Sequence, residues 1–321
     1  MIPTTAPRRF HGPTVVALGG GHGLSASLGA LRLITDDISA VVTVADDGGS
    51  SGRLRQEFGV LPPGDLRMAL SALCDDSDWG RLWRDALQHR FHSDGPMDEH
   101  ALGNLLIVTL WQLLDDPVAG LDWVGRLLGA KGRVLPMAAV PLDIEAEIEQ
   151  DAGGSVKTVR GQVAVATEPG RILSVRLLPE EPPARLEVID AVMNADWVIL
   201  GPGSWFTSVL PHLLVPELSK ALQTTSGRRC VTLNVGPNTG ETSGYSALGL
   251  IQVLIDHAPD LVIDDILADP RSIEDEPALR GFADFLGARL HLQHVAALDG
   301  SARHDPLRLA AAYRDIFAGA P

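Results

Sequence analysis

The fold is decided by residues 14–23, which read TVVALGGGHG. A short apolar run over residues 14–18 ends in a cluster of glycines, and Leu24, Leu28 and Leu31 follow at helical spacing. This order predicts a buried strand, a glycine loop and a helix. Such a unit is typical of the first element of an α/β fold with a parallel sheet.

The glycine loop is the first candidate ligand site. Backbone N–H groups of Gly20, Gly21, His22 and Gly23 are little shielded by side chains, and the positive end of the next helix points to the same place, which suits a phosphate. The loop also fits the dinucleotide pattern GxGxx(G/A), with Asp46 at about the expected distance downstream. NAD binding and a tight turn without a ligand therefore remain alternatives.

The strand, loop and helix alternation recurs along the chain. It predicts an α/β fold with a doubly wound, Rossmann-like parallel sheet, in which residues 65–129 form a helical layer. Residues 132–178 alternate in short pieces between Gly and Pro turns, which predicts a small antiparallel β insert. We expect a mobile tail over residues 1–12 and a single domain over residues 13–321. The further strands are predicted at residues 38–44, 197–200, 230–233 and 261–263.

The second loop combines acidic and basic side chains. Its carboxylates favour a divalent cation such as Mg²⁺, and its guanidinium group favours a phosphate. An Asx turn that caps the next helix is the alternative. The candidate residues of this loop are Asp46, Asp47, Ser50, Ser51 and Arg53.

Two later loops extend the candidate site. The third loop follows the strand at residues 197–200 and offers hydroxyl and N–H groups at a helix start. Together with the first glycine loop it would form two anion sites that face each other, which suits a diphosphate. A simple helix cap is the alternative. The fourth is long and polar, and is either a contact to a base or sugar or a surface loop. Their candidate residues are Gly201, Gly203, Ser204, Asn234, Glu241 and Thr242.

Composition excludes several classes of partner. The net charge of −15 and a pI near 5.0 disfavour nucleic acid and an anionic membrane surface. No run of apolar residues is long enough to span a bilayer. Cys74 and Cys230 are isolated in sequence, so we expect buried thiols in a reducing cytoplasm rather than a disulfide or zinc site.

Taken together, several motifs resemble the YvcK family of bacterial gluconeogenesis factors, which shares a superfamily with CofD, the 2-phospho-L-lactate transferase. The resemblance covers nearly the whole chain after the tail and includes the GGSSGRLR and PPGD segments. The matching segments are residues 15–24, 41–55, 61–67, 102–106, 201–204, 240–242 and 303–305.

The resemblance implies a Rossmann-like site for a UDP-sugar such as UDP-N-acetylglucosamine, in a factor needed for cell shape and wall synthesis on gluconeogenic carbon sources. It assigns Gly20, Gly21 and Gly23 to the phosphate loop, and Arg303 to a ligand contact near the C-terminus. It also assigns the acidic loop to Asp46 and Asp47, and Asn104 lies in its matching LGNLL segment.

The leading hypothesis is a cytoplasmic regulatory protein that binds a UDP-sugar, orders its loops and presents a changed surface to a protein partner. The rival is a transferase that moves a phosphorylated group with Mg²⁺ at Asp46 or Asp47. A dehydrogenase is a more distant alternative. The sequence leaves the oligomeric state open, with a homo-oligomer among the alternatives.

Overall fold

The structure is a computed structural model that describes residues 12–150, 154–236 and 240–319. Of the tail predicted over residues 1–12, only Gly12 lies among the described residues. Across the described ranges the strands are β1 Val15–Gly19, β2 Ile38–Val42, β3 Arg133–Pro136, β4 Asp143–Glu149, β5 Val156–Arg160, β6 Arg171–Leu178, β7 Trp197–Leu200, β8 Arg228–Thr232, β9 Asp265–Ala268 and β10 Arg289–Leu292.

Helices cover the sheet and connect its strands. They are α1 Gly21–Leu31, α2 Gly49–Phe58, α3 Gly64–Leu73, α4 Asp78–Gln88, α5 Leu102–Leu114, α6 Pro117–Leu128, α7 Gln162–Thr167, α8 Leu186–Met193, α9 Pro216–Thr224, α10 Ala247–His257, α11 Glu276–Leu286 and α12 Pro306–Phe317. A wide turn of π-helix, Trp205–Val209, and a 3₁₀ turn, Leu210–Leu214, follow β7. Among the described residues, no helix is long and apolar enough to cross a membrane.

In the described part of the chain, seven parallel strands form the main sheet in the order β10-β9-β8-β7-β1-β2-β3. The chain runs outward from β1 to β3 and then returns to β7 on the other side of β1. The strand order therefore reverses between β1 and β7, and this is the place where open parallel sheets bind ligands. The predicted Rossmann-like, doubly wound fold is confirmed.

A smaller antiparallel sheet, ordered β5-β4-β6 in the described residues, forms the insert. It begins at Asp143 rather than at residue 132, because β3 pairs with β2 and so belongs to the main sheet. The strand that we predicted at residues 261–263 also lies elsewhere, since β9 begins at Asp265.

The core explains why the strands form where they do. Val15, Val16, Ala17 and Leu18 in β1 are all buried, and so is every residue of β7. Strands buried on both faces read as continuous apolar runs, which is the pattern from which they were predicted. Cys74 and Cys230 are buried free thiols, as expected.

Candidate functional site

A polar cleft of about 610 Å³ lies at the carboxyl ends of β1, β7 and β8. Its volume is within the range of small-molecule sites. Helix α7 of the insert contributes Gln162, and the segment before α12 contributes Ala302 and His304. The cleft brings together these residues predicted from sequence: Gly20, Gly21, His22, Gly23, Gly203, Ser204, Asn234, Thr242 and Arg303.

The first turn of α1 forms one wall of this cleft. The predicted glycine loop is largely part of the helix, because α1 already begins at Gly21, whose φ is +54°. A Cβ atom on Gly23 would lie 2.3 Å from the carbonyl oxygen of Pro202, so only glycine allows the two loops to approach this closely. The glycines therefore bring the β1 and β7 loops together as well as exposing backbone N–H groups.

Asp65, at the start of α3, is a cleft residue that sequence reasoning did not single out. Its carboxylate accepts a hydrogen bond from the backbone N–H of Gly21. Burial is the main cause that raises the pKa of Asp65, to about 7, and the charge of Asp46 is the second cause. The signal that could have found it is the acidic residue of the PPGD segment.

Asp46 lies close to Asp65 and is held in place by its neighbours. Its carboxylate accepts hydrogen bonds from the backbone N–H of Gly48, at 3.0 Å, and from the hydroxyl of Ser51. The Ser51 hydroxyl in turn accepts from the N–H of Gly64 at 2.7 Å. Burial is the main cause that raises the pKa of Asp46. Two carboxylates with raised pKa values in one buried place fit a divalent cation.

Asp47 has a different position from the one predicted. Its carboxylate accepts a hydrogen bond from the backbone N–H of Val163 at 3.0 Å, at the start of α7. It therefore holds the insert against the second loop and does not line the cleft. The structure adds Asp65 as the cleft-lining partner of Asp46, while the charge of Asp47 also raises the pKa of Asp46 from outside the cleft.

Three other predicted residues make contacts away from the cleft. The hydroxyl of Ser50 is 3.1 Å from Nδ1 of His100 and accepts from the side-chain amide of Asn104 at 3.0 Å. The guanidinium of Arg53 donates to the backbone carbonyl of Asp98 at 2.7 Å. These contacts fasten α2 to α5 and to the loop before it, so Ser50, Arg53 and Asn104 do not line the cleft.

The helical turn after β7 is closed by a side chain of the protein itself. Glu241 accepts from the backbone N–H of Phe206 at 3.1 Å and from the hydroxyl of Thr207 at 2.8 Å. Glu241 is buried, and burial raises its pKa. The two facing anion sites that we predicted are therefore reduced to one, because Glu241 buries the second helix start outside the cleft, whereas Asp65 leaves the first one open to it.

Asn234 and Gly201 shape the loop after β7. The side-chain amide of Asn234 accepts from the backbone N–H of Gly203 at 2.8 Å and donates to its carbonyl at 2.8 Å. Gly201 has a φ of +77° and is buried beside the cleft rather than lining it. Asn234 thus fixes the loop that carries Ser204.

Arg303 lies at the rim of the cleft and is 74% exposed. It donates to Asp299 at 2.9 Å and to the hydroxyl of Ser301 at 3.1 Å. Such an exposed ion pair is weak, so the guanidinium can turn to an incoming anion at little cost. The adjacent His304 lies 3.2 Å from the carbonyl oxygen of Leu233, and burial lowers its pKa to about 4.

The cleft combines a glycine-rich helix start, hydroxyl groups, one exposed guanidinium and the carboxylate of Asp65. The predicted residues Asp46, which lies beside Asp65, and Ser51 are not among its lining residues. These groups can hold a phosphorylated ligand directly or through a cation. The other cluster of metal-binding side chains found in the described residues is His92, Asp98 and Glu99, on a separate loop away from the cleft.

Comparison with known proteins agrees with this architecture. The family described as 2-phospho-L-lactate transferase CofD matches residues 15–284. The chain belongs to the CofD family.

Relatives place it more closely within that family. The Bacillus subtilis gluconeogenesis factor is 38% identical over 264 residues, which cover 82% of this chain and 81% of that protein. A Mycobacterium tuberculosis relative is 52% identical over 318 residues, which cover 96% of this chain and 92% of the relative. The resemblance to gluconeogenesis factors that the sequence motifs indicated is confirmed.

Two solved structures share the fold. A crystal structure of a Bacillus halodurans protein, 33% identical in sequence, superposes with a TM-score of 0.84 and covers 94% of this chain and 99% of its own. A second crystal structure from that species, of a UPF0052 family member, gives a TM-score of 0.83 with 33% identity and covers 94% of this chain and 98% of its own.

Proposed function

We propose that this CofD-family protein is a cytoplasmic regulatory factor that binds a UDP-sugar, such as UDP-N-acetylglucosamine, in the cleft at α1. Through a protein partner that recognises the liganded form, it supports cell shape and peptidoglycan synthesis during growth on gluconeogenic carbon sources. The names of its relatives support the link to gluconeogenesis. The ligand class rests on the cleft.

One observation carries the choice of ligand: the cleft presents a helix N-terminus and the Arg303 guanidinium within one space of about 610 Å³. A diphosphate can take N–H donors from the first turn of α1 and two donors from a guanidinium. The second helix start is closed by Glu241. One open helix start suits a compact diphosphate better than the extended form of NAD, because Glu241 closes the helix start after β7, the first strand of the second half of the sheet.

Calorimetry tests this ligand class. We expect UDP-N-acetylglucosamine to bind more tightly than NAD when both are titrated in the same Mg²⁺ buffer. Tighter binding of NAD, or heat of binding from neither compound, would contradict the proposal. ³¹P NMR of the UDP-sugar during incubation adds a second readout, because a binding protein produces no new phosphorus-containing compound.

The Asp46 and Asp65 pair favours a second candidate, a transferase that moves a phosphorylated group to an acceptor hydroxyl. Mg²⁺ held by the two carboxylates would neutralise phosphate charge. The pair is close enough for the charge of Asp46 to raise the pKa of Asp65, which is the condition that a bound cation relieves. New phosphorus signals in the NMR experiment, growing only with Mg²⁺ and an acceptor alcohol, would favour this candidate.

Two substitutions with a matched control test the metal assignment. Asp46→Asn and Asp65→Asn should each remove most of the Mg²⁺ dependence of nucleotide binding. Asp47→Asn makes the same chemical change in a neighbouring carboxylate, but Asp47 faces α7, so it should leave that dependence intact. Loss of the dependence in Asp47→Asn alone would restore the pair predicted from sequence.

A further inference from the structure

Arg67, on α3, is a buried cation that makes no direct ion pair with a carboxylate among the described residues. It is 4% exposed, and its Nε atom has no hydrogen-bond acceptor. One Nη atom contacts the side-chain oxygen of Gln88 and, at a long 3.4 Å, the carbonyl of Leu87. Among the residues that the structure describes, no carboxylate lies within 4.0 Å of this guanidinium. A buried charge without a counterion is costly, so it points to a missing anion.

The surroundings of Arg67 add further positive charge. Burial is the main cause that lowers the pKa of Arg67, to about 10, and the charge of Arg90 is the second cause. The first turn of α5 packs directly on the side chain, because a Cβ on Gly103 would lie 2.8 Å from Cδ of Arg67. Helix α5 begins without a side-chain cap, so its positive end is turned toward the same place.

The negative groups that act on Arg67 are Asp65, which lines the first cleft, and its neighbour Asp46. The charges of Asp65 and Asp46 raise its pKa, but less than burial and Arg90 lower it. The contact nearest to a counterion is the neutral amide of Gln88, whose side chain is exposed. An anion can therefore reach the guanidinium from solvent by displacing Gln88.

We propose that Arg67 and the first turn of α5 form a second anion site for the oxyanion of a small molecule, either a phosphate monoester or a carboxylate. The site lies behind the acidic pair and is separate from the cleft at α1. It does not depend on the identity of the ligand in that cleft.

The test uses a substitution that supplies the missing carboxylate from the protein itself. Gln88→Glu places an acid on Arg67 and should compete with an incoming anion. Gln112→Glu is the matched control, since Gln112 is also exposed and also lies in the last turn of its helix, α5. Both variants gain one negative charge and the same unfavourable position in a helix dipole.

The full-length chain is titrated with inorganic phosphate and, separately, with acetate, at constant ionic strength, and binding is followed by calorimetry and by the thermal midpoint. All variants carry Arg303→Ala, which removes the guanidinium of the first cleft. We expect Gln88→Glu to weaken phosphate binding about tenfold or more relative to Gln112→Glu, and to have the higher midpoint before any anion is added. Stronger binding of acetate than of phosphate would assign the site to carboxylates.

Three results would overturn the proposal. The first is equal phosphate and acetate affinities in the Gln88→Glu and Gln112→Glu variants. The second is phosphate binding that disappears with Arg303→Ala alone, which would place the anion in the first cleft. The third is that neither phosphate nor acetate binds to the Arg303→Ala parent. Arg67 would then serve only to hold the end of α4 through Gln88 and Leu87.

Discussion

Two helix starts of this protein are alike in sequence and different in use. Both follow a parallel strand and a glycine loop, one at α1 and one at Trp205–Val209. Both are met by a carboxylate, Asp65 at the first and Glu241 at the second. Asp65 lines the open cleft, whereas Glu241 is buried outside it. The comparison teaches that a glycine loop before a helix marks a ligand site only when the carboxylate that meets the helix start leaves it open to a cleft.

Removing Glu241 should have the largest effect, because it closes the second helix start. In Glu241→Ala, the N–H of Phe206 and the hydroxyl of Thr207 lose their acceptor in a buried place. Each unsatisfied buried group costs about 1–3 kcal/mol, so we expect the free energy of unfolding to fall by about 3 kcal/mol or more. Urea denaturation measures the loss. A change below about 1 kcal/mol would mean that water replaces Glu241 and that the two helix starts are equivalent.

Gly23 tests the close contact of the two loops. Gly23→Ala puts a Cβ 2.3 Å from the backbone oxygen of Pro202, and we expect a loss of about 1–3 kcal/mol from overpacking. Gly29→Ala is the control on the same helix, because nothing lies within 4 Å of the new Cβ. That substitution should stabilise the protein by about 0.5–1 kcal/mol. Equal effects in thermal unfolding would show that the loops separate freely.

The pH dependence of stability tests the helix start at α1, which is open to the cleft. The pKa of Asp65 rises from 3.8 to about 7 on folding. Between these values the folded protein keeps a proton that the unfolded chain has released, so the free energy of unfolding falls as pH rises through this window. We expect a loss on the order of 1 kcal/mol or more from pH 5 to pH 7, reduced in Asp65→Asn. Urea denaturation curves that show the same pH slope in both proteins would contradict this.

Arg303 should give a smaller effect that is confined to binding. Arg303→Ala should weaken UDP-N-acetylglucosamine binding about tenfold, which corresponds to about 1.4 kcal/mol. Arg303→Lys should fall between, because lysine offers a point charge without the paired donors of guanidinium. Arg280→Ala is the control, since Arg280 is also exposed and also pairs with an acid four residues away. Titrations that give one affinity for all four proteins would exclude Arg303 from the site.

The fold was predictable because most strands of its main sheet are short apolar runs that can be recognised in the sequence. The apolar run of β1 and the glycines after it identified the strand, the turn and α1 together. Strand β9 was misplaced because it begins with a buried acid. Asp265 pairs with Arg228 at 2.8 Å, Arg289 at 2.9 Å and His291 at 2.7 Å, which come from neighbouring strands. No local sequence pattern predicts ion-pair partners that lie so far apart in the chain.

The site was predictable only in part for the same reason. Glycines and Arg303 could be placed in the cleft from loop position and family resemblance. The hydrogen-bond partners of the carboxylates could not be predicted, because they lie far away in the chain. Asp47 accepts from the N–H of Val163, and Glu241 accepts from the N–H of Phe206. Whether a carboxylate holds a metal, a ligand or the protein's own backbone depends on contacts that appear only after folding.

The most direct test of the central claim is a crystal structure of the protein with UDP-N-acetylglucosamine and Mg²⁺. We predict that the diphosphate lies against the first turn of α1, between Gly20 and Gly23, with Arg303 on one side and the cation at Asp46 and Asp65. A diphosphate at Trp205–Val209 with Glu241 displaced, or a ligand outside the α1 cleft, would contradict the account.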